Sequence, residues 1–422
     1  MPSLISIITD TNEADHLGDR ISGSSPAQID AALLTGGQDR NYAFGLATAM
    51  VKKDVRIEVI GNDRVDSPEF HTTPKLEFLN LGGIQQPEAS FSKKLFQLLS
   101  FYGRLIRYAT FAKPRLVHIL WNNKFEYFDR TLLMLYYRLC GMKIVFTAHN
   151  VNKDKRDSCD SLLNRLTLKV QYRLVNHIFV HTEKMKSELL EDFGVQGQAV
   201  TVIPFGINNA VPNTDLTPAE AKRRLGIGGE ERTVLFFGRI APYKGLEYLL
   251  SAFEKILSNH PNYRLIIAGE PMKGYEKYWN ETLQTINRGD IRDRIIRKFE
   301  FIPDEDAELY FKAADVLVMP YKNIFQSGVL FLGYSFGTPV IAADVGSLGE
   351  DIIEGRTGFL YKPGDSSDLA SVMEAYFGSD LYKTLDKRRQ EIRDYAHAQH
   401  SWDVVGKLTR DVYDKVLEKE RR

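Results

Sequence analysis

Four short stretches combine residue types and spacing that could do chemistry. The first, Phe236-Phe237-Gly238-Arg239-Ile240-Ala241-Pro242-Tyr243-Lys244-Gly245-Leu246-Glu247, reads as a strand, a short loop with two cations, and a helix opened by Gly245. Arg, Lys and helix N-terminal amides converging on one point make a site for a diphosphate, and the fork of Arg suits phosphate oxygens. On spacing alone, a solvated surface pair remains the competing reading. The second, Thr35-Gly36-Gly37-Gln38-Asp39-Arg40-Asn41, lies ahead of a helical run, Tyr42 to Met50, and two glycines there let another molecule approach the backbone. The third, Thr147-Ala148-His149-Asn150, follows the strand-like Lys143 to Phe146 and puts an imidazole at a sheet edge, where a structural histidine satisfied by nearby carbonyls is the alternative. The fourth runs from Pro320-Tyr321-Lys322 through Gln326-Ser327-Gly328-Val329 into a helical run and Gly337-Thr338-Pro339-Val340-Ile341-Ala342, again a turn with free amides before a helix, or a plain helix cap.

Other chemistries are disfavoured. Gly226-x-Gly228 does not follow a strand, so a dinucleotide fingerprint is not indicated, and no Walker lysine loop, Gly-x-Ser-x-Gly elbow or His-Glu-x-x-His occurs. Asp304-Glu305-Asp306 reads as a helix start rather than a metal site, and no metal or cofactor is expected. With 55 basic against 55 acidic residues, the chain lacks the excess of a dedicated nucleic-acid binder. Two cysteines, Cys140 and Cys159, are too few for a zinc site or a disulfide framework, and both are read as buried or neutral thiols in a reduced compartment.

These loops need elements to hold them. β-branched runs alternate with amphipathic stretches: Leu4 to Ile8, Val55 to Ile60, Leu116 to Leu120, Lys143 to Thr147, Ile178 to Val180 and Val200 to Ile203. A second series runs through Thr233 to Phe237, Arg264 to Ala268, Ile295 to Phe301, Val316 to Met319 and Pro339 to Ala342. Strand and helix in alternation imply crossover units and parallel sheets, here two doubly wound α/β units. Turn formers crowd Pro204 to Gly229, which places the linker near residues 206–215; the expected domains are 1–207 and 208–398. Residues 399–422 form a terminal helix, with Trp402, Val404, Val405, Leu408, Val412, Tyr413 and Val416 at helical spacing, expected to cross back to the first domain. The start of the chain lacks the basic region and cleavage site of a signal peptide and reads as a first strand, and the segment Glu13 to Asp30 as a long polar loop.

The four stretches in their order along the chain, with Ala313-Ala314-Asp315-Val316, Met319-Pro320 and Thr357-Gly358-Phe359-Leu360, resemble the retaining, GT-B-fold glycosyltransferases of family 4, related to glycogen and sucrose synthases. The resemblance runs along nearly the whole chain. It implies that Arg239 and Lys244 hold a donor diphosphate, and that Gly36, Gly37 and His149 line the cleft beside the phosphates and the transferred sugar. Most members carry two glutamates separated by seven residues; here those places hold Ile324 and Leu332, neither of which can accept a hydrogen bond through its side chain. The chain is similar to a subgroup reading Pro-Tyr-Lys, then Gln-Ser-Gly-Val, and Gln326, Ser327, Gly328 and Val329 are the expected replacements. The expected catalytic residues are thus His149, Arg239 and Lys244, and the expected donor site Gly36, Gly37, Gly238, Arg239, Lys244, Ile302, Gln326, Ser327, Gly328 and Val329.

The function this implies is transfer of a sugar, with retained anomeric configuration and no metal, from a nucleotide-diphosphate sugar to a glycan or lipid-linked acceptor. That is chemistry of polysaccharide or glycoconjugate biosynthesis. The alternatives are a degenerate GT-B protein that binds nucleotide or glycan without turnover, and a GT-B enzyme of another reaction type, such as an epimerase or phosphorylase. Location is read as cytoplasmic, peripheral on the membrane face. The segment 91–115 has Lys93, Lys94, Arg104, Arg107, Lys113 and Arg115, no acid and many large apolar residues, a composition suited either to an anionic membrane interface or to a core-packed helix with a solvated basic face.

Overall fold

A computed structural model describes residues 30–83, 90–152, 160–207, 211–324 and 326–418. The expected strand Leu4 to Ile8, the polar loop up to residue 29, Cys159, Phe325 and the middle of the linker lie outside the described residues.

Thirteen strands among these residues form two all-parallel sheets. The first orders β3(Leu76–Leu79), β2(Ile57–Ile60), β1(Ala31–Leu34), β4(Leu116–Ile119), β5(Lys143–Thr147), β6(His177–Val180) and β7(Val200–Val202). The second orders β10(Ile295–Lys298), β9(Tyr263–Ala268), β8(Arg232–Phe237), β11(Val316–Met319), β12(Val340–Ala343) and β13(Gly358–Tyr361). Parallel strands covered on both faces are mostly apolar, and β2, β4, β6, β11 and β12 are buried at every position, with Glu58, His118 and His177 their polar members. Each sheet reverses its order about a central strand, β1 in the first and β8 in the second, where ligands bind beyond the carboxyl ends.

On one face of the first sheet lie α1(Arg40–Val51) and the terminal helix, α9(Trp402–Glu418). The other face carries α2(Phe91–Phe111), α3(Met134–Leu139), α4(Leu162–Leu174) and α5(Glu183–Phe193). A π-helical turn, Asp129–Leu133, leads into α3. In the second unit α6(Leu246–Leu257), α7(Asp304–Ala313) and α8(Gly328–Ser335) matter for the site. The acidic triplet 304–306 is the first turn of α7, where its charge complements the helix N-terminus.

The terminal helix packs its Trp402, Val405, Val412, Tyr413 and Val416 into the core of the first unit. The Trp402 ring lies where a side chain on Gly45 or Gly206 would stand, and its Nε1 donates to Ile207 O at 2.7 Å. One smaller difference from sequence expectation concerns β10, which ends at Lys298 rather than Phe301; Cys140 is a free, partly exposed thiol.

Candidate active site in the interdomain cleft

Beyond β1 the chain must turn at once to start α1. Gly36 does so at φ +59°, and a Cβ there would stand 2.7 Å from Asn122 O and 2.8 Å from Trp121 O. Those are backbone atoms of the loop after β4, so no side chain fits. Asp39 then caps α1 by accepting the Tyr42 N–H at 3.0 Å. Gly36 and Gly37, with Asn62, Arg64, Lys94, Gln97, Asn123 and Lys124, line a cavity of about 390 Å³. Three of these side chains are cationic and none is acidic. Asn123 is steadied by the carboxylate of Asp129, which accepts from Asn123 Nδ2 at 3.4 Å and from Tyr102 Oη at 3.0 Å; burial pushes the Asp129 acid up to about 6.

His149 follows β5 and is stacked on Trp121, ring centroids 4.1 Å apart and ring planes nearly parallel, with Tyr42 edge-on at 4.7 Å. Its Nδ1 lies 2.9 Å from His181 Nε2, and His181 Nδ1 lies 3.2 Å from Ile203 O. A carbonyl only accepts, so His181 carries its proton on Nδ1; burial holds its pKa down at about 4, so Nε2 is a lone pair. That lone pair takes the Nδ1–H of His149 and leaves His149 Nε2 as an acceptor. This nitrogen is buried with no partner among the described residues. Burial first, then the neighbouring His181 and His118, holds His149 well below the usual imidazole range.

In the second unit, Gly238 adopts φ +94° directly after β8, and a Cβ there would stand 2.8 Å from Lys244 Nζ. Lys244 is 6% exposed; its Nζ lies 5.1 Å from the Tyr321 ring centroid and donates weakly to Phe237 O at 3.4 Å. Among the described residues no carboxylate pairs with it, and burial pulls its pKa down to about 8, with Arg239 adding repulsion and Tyr243 opposing. Arg239 is well exposed, 3.8 Å from Glu270. The loop after β11 meets this one: Lys322 N donates to Tyr243 O at 2.8 Å, and Tyr321 Oη lies 3.5 Å from Ser327 Oγ. Ser327 caps α8 by accepting the Val329 N–H at 3.3 Å, so that amide is already engaged. Gln326 turns to Asp351, donating from Nε2 at 3.2 Å, while its Oε1 is buried without a partner among the described residues; burial pushes Asp351 up to about 7. Ile302 and Leu332 are buried in the second core and Ile324 packs against it, so none of these three side chains is a polar contact.

Phe205, at the start of the linker, joins the halves. It stacks on Phe331 of α8 at 5.6 Å, touches His181 at 5.1 Å and Tyr42 at 5.3 Å, and lies 3.6 Å from where a Gly328 side chain would begin. Asn41 Nδ2 donates to Asp304 Oδ2 at 3.0 Å across the cleft, and Glu350 accepts the Glu183 and Lys184 amides that open α5. Gly238, Lys244, Ser327 and Val329 therefore form one cluster; Gly36, Gly37 and His149 border the facing wall, with Gln326 and Ile302 set back from it. Sequence reasoning missed His181, Trp121, Tyr42, Phe205, Asp351 and the cationic cavity. None carries a local signal, since each matters through a contact with a distant segment.

The two halves match two family models: residues 36–211 that of Glycosyltransferase Family 4, and residues 231–378 that of Glycosyl transferases group 1. The chain is 23% identical over 413 residues to the D-inositol 3-phosphate glycosyltransferase of Corynebacterium efficiens, covering 94% of both chains. It is 31% identical over 254 residues to the enzyme of that name from Streptomyces avermitilis, covering 58% of this chain but only 53% of that relative's length. Among solved structures, sucrose-phosphate synthase from Thermosynechococcus elongatus superposes with a TM-score of 0.73 at 21% identity, over 92% of this chain and 99% of that one. Anabaena HepE, solved in complex with UDP-glucose, gives 0.71 at 17% identity, over 91% and 99%.

Proposed function

We infer, from a chain that is a family 4-like glycosyltransferase of GT-B fold, that it moves a hexose from a nucleoside-diphosphate sugar to an acceptor seated against the first unit, with retention and without a metal. The observation that carries this reading is Lys244, a buried ammonium at the mouth of the Gly238 loop with no carboxylate beside it among the described residues. Such a group is uncompensated until an anion arrives. With Arg239 it would neutralise the charge that grows on a departing diphosphate, using groups already in place. His149 Nε2, fixed as an acceptor, would take a hydrogen bond from a hydroxyl of the transferred sugar. Ser327 and the Gly328 amide would hold hydroxyls that carboxylates hold elsewhere in the family. The leaving phosphate would take the acceptor proton.

The cavity with Arg64, Lys94 and Lys124 supports an acceptor that carries an anionic group, on a glycan or on a lipid. Relatives named for inositol 3-phosphate fit that class of acceptor. The test is a calorimetric titration with UDP, GDP, ADP and dTDP and their sugars, wild type against Arg239→Ala, followed by NMR of the product anomer in the presence of chelator. Selective diphosphate binding weakened by the substitution, and a retained anomer, are expected. An inverted anomer, or loss of turnover with chelator, overturns the mechanism. Tight donor binding with no turnover on any acceptor favours the non-catalytic alternative, which the missing glutamates at Ile324 and Leu332 motivate.

A further inference from the structure

The helices α2, α3 and α4 lie side by side on one face of the first sheet. Thr110 and Tyr136 are hydrogen-bonded at 2.6 Å between α2 and α3, and Arg138 of α3 donates to Leu174 O of α4 at 3.1 Å. Their inner sides supply the core with Tyr102 and Leu105, Met134 and Tyr137, Leu168 and Tyr172. A helix between core and water then has a polar outer side. Here the outer sides are apolar too: Phe91 is 82% exposed and Phe96 72% on α2, Leu139 78% on α3, Leu162 88% and Leu166 60% on α4. Isolated exposed leucines are ordinary, but a set spread over three adjacent helices marks an interaction surface.

The charge carried by the three helices themselves has one sign. Residues 91–115, 130–152 and 161–182 contain no acid, and Lys93, Arg107, Lys113, Lys169 and Arg173 fall within them. Arg104 is turned inward, its Nε donating to Leu81 O at 2.8 Å. Two copies of this face would set like charges against each other, which argues against a self-complementary interface. No helix among the described residues is long and apolar enough to cross a bilayer. An apolar surface ringed by cations instead suits a lipid interface with anionic headgroups.

We propose that the outer face of α2, α3 and α4 docks on an anionic lipid bilayer. Docking does not depend on sugar transfer. That the same bilayer presents the acceptor rests on the functional reading above, and the geometry fits it: Lys94, Gln97 and Phe101 of α2 line the acceptor cavity, so the cavity opens beside the docked face.

The test is co-flotation of the full chain with phosphatidylcholine vesicles, with and without phosphatidylglycerol, at low and high salt. Two variants are compared with wild type, Leu139→Glu/Leu162→Glu/Leu166→Glu and Lys93→Glu/Arg107→Glu. Melting temperature and donor binding serve as checks that the fold is intact and that the transfer reading is judged separately. Wild type is expected to float with the phosphatidylglycerol vesicles and to be released by salt, with each variant binding at least about tenfold more weakly. The proposal fails if wild type does not float with anionic vesicles, or if the leucine variant floats as well as wild type. It also fails if the leucines instead drive concentration-dependent self-association in sedimentation.

Discussion

Replacing Lys244 by methionine separates what the lysine does for the fold from what it does for a ligand. The side chain keeps its length, and the charge is lost. Burial lowers its pKa from 10.5 to about 8, which at 1.36 kcal/mol per pH unit is roughly 3 kcal/mol of penalty on the charged form. Because the folded pKa is depressed, the unfolded chain holds the proton more tightly. The penalty is therefore present in full below pH 8, and stability should rise as pH climbs from about 8 towards 10.5. Lys244→Met removes the penalty but also the stacking of the ammonium on Tyr321, worth about 0.5–2 kcal/mol, so the variant should melt at or above the wild-type temperature near neutral pH. Catalysis should move the other way, falling about 10²–10³-fold in kcat/KM, as expected when one preorganised donor to a developing anion is lost. Wild-type donor affinity should be highest below pH 8 and decline as Lys244 deprotonates above it, whereas the variant's affinity should lack that limb. The assays are differential scanning calorimetry and donor titration across pH. A variant that is destabilised by several kcal/mol while keeping wild-type kcat/KM would refute the reasoning, because Lys244 would then be a structural cation.

Three further outcomes follow from the same geometry. His181→Phe removes the acceptor for His149 Nδ1–H, freeing the other tautomer, and should lower kcat about 10-fold or more while leaving diphosphate affinity intact; since burial holds His149 far below its ordinary range, the wild-type rate should show no acid limb near pH 6.5, and either a limb there or an unaffected kcat counts against the relay. Gly36→Ala forces a side chain onto two carbonyl oxygens at φ +59°, so a loss of about 1–3 kcal/mol in urea denaturation is expected, together with a raised acceptor KM, and a neutral variant would show that the turn has room. Trp402→Ala empties the space between Gly45 and Gly206 and orphans Ile207 O, which should cost about 3–5 kcal/mol and be visible as faster amide exchange in α1; exchange confined to the second unit would contradict the packing.

Much of the architecture could be read locally. A buried parallel strand is mostly apolar, so β4, β5, β8, β9, β11 and β12 stood out as short runs rich in β-branched and other apolar residues. β1 did not, because Ala-Ala-Leu-Leu has no β-branched residue and looks like a helix fragment; it is a strand because β2 and β4 hold it on both sides. β3, Leu-Glu-Phe-Leu, and β13, Gly-Phe-Leu-Tyr, were missed for the same reason, having no β-branched residue.

The site divides the same way. Sequence alone placed two cations five residues apart between a strand and a helix, a histidine at a strand end, and paired glycines ahead of a helix. Local order suffices for these, since strand, turn and helix follow one another within a few residues. Which way each group faces was decided elsewhere. Lys244 is buried because Tyr321 and the Gly238 turn close over it, and Arg239 beside it is not. His149 has a defined tautomer because His181, 32 residues on, hands the constraint of Ile203 O back to it. Phe205 touches both halves because the sheets face each other. Burial and long-range pairing set the protonation states and lone pairs on which chemistry depends, and both arise only when segments distant in the chain are brought into contact.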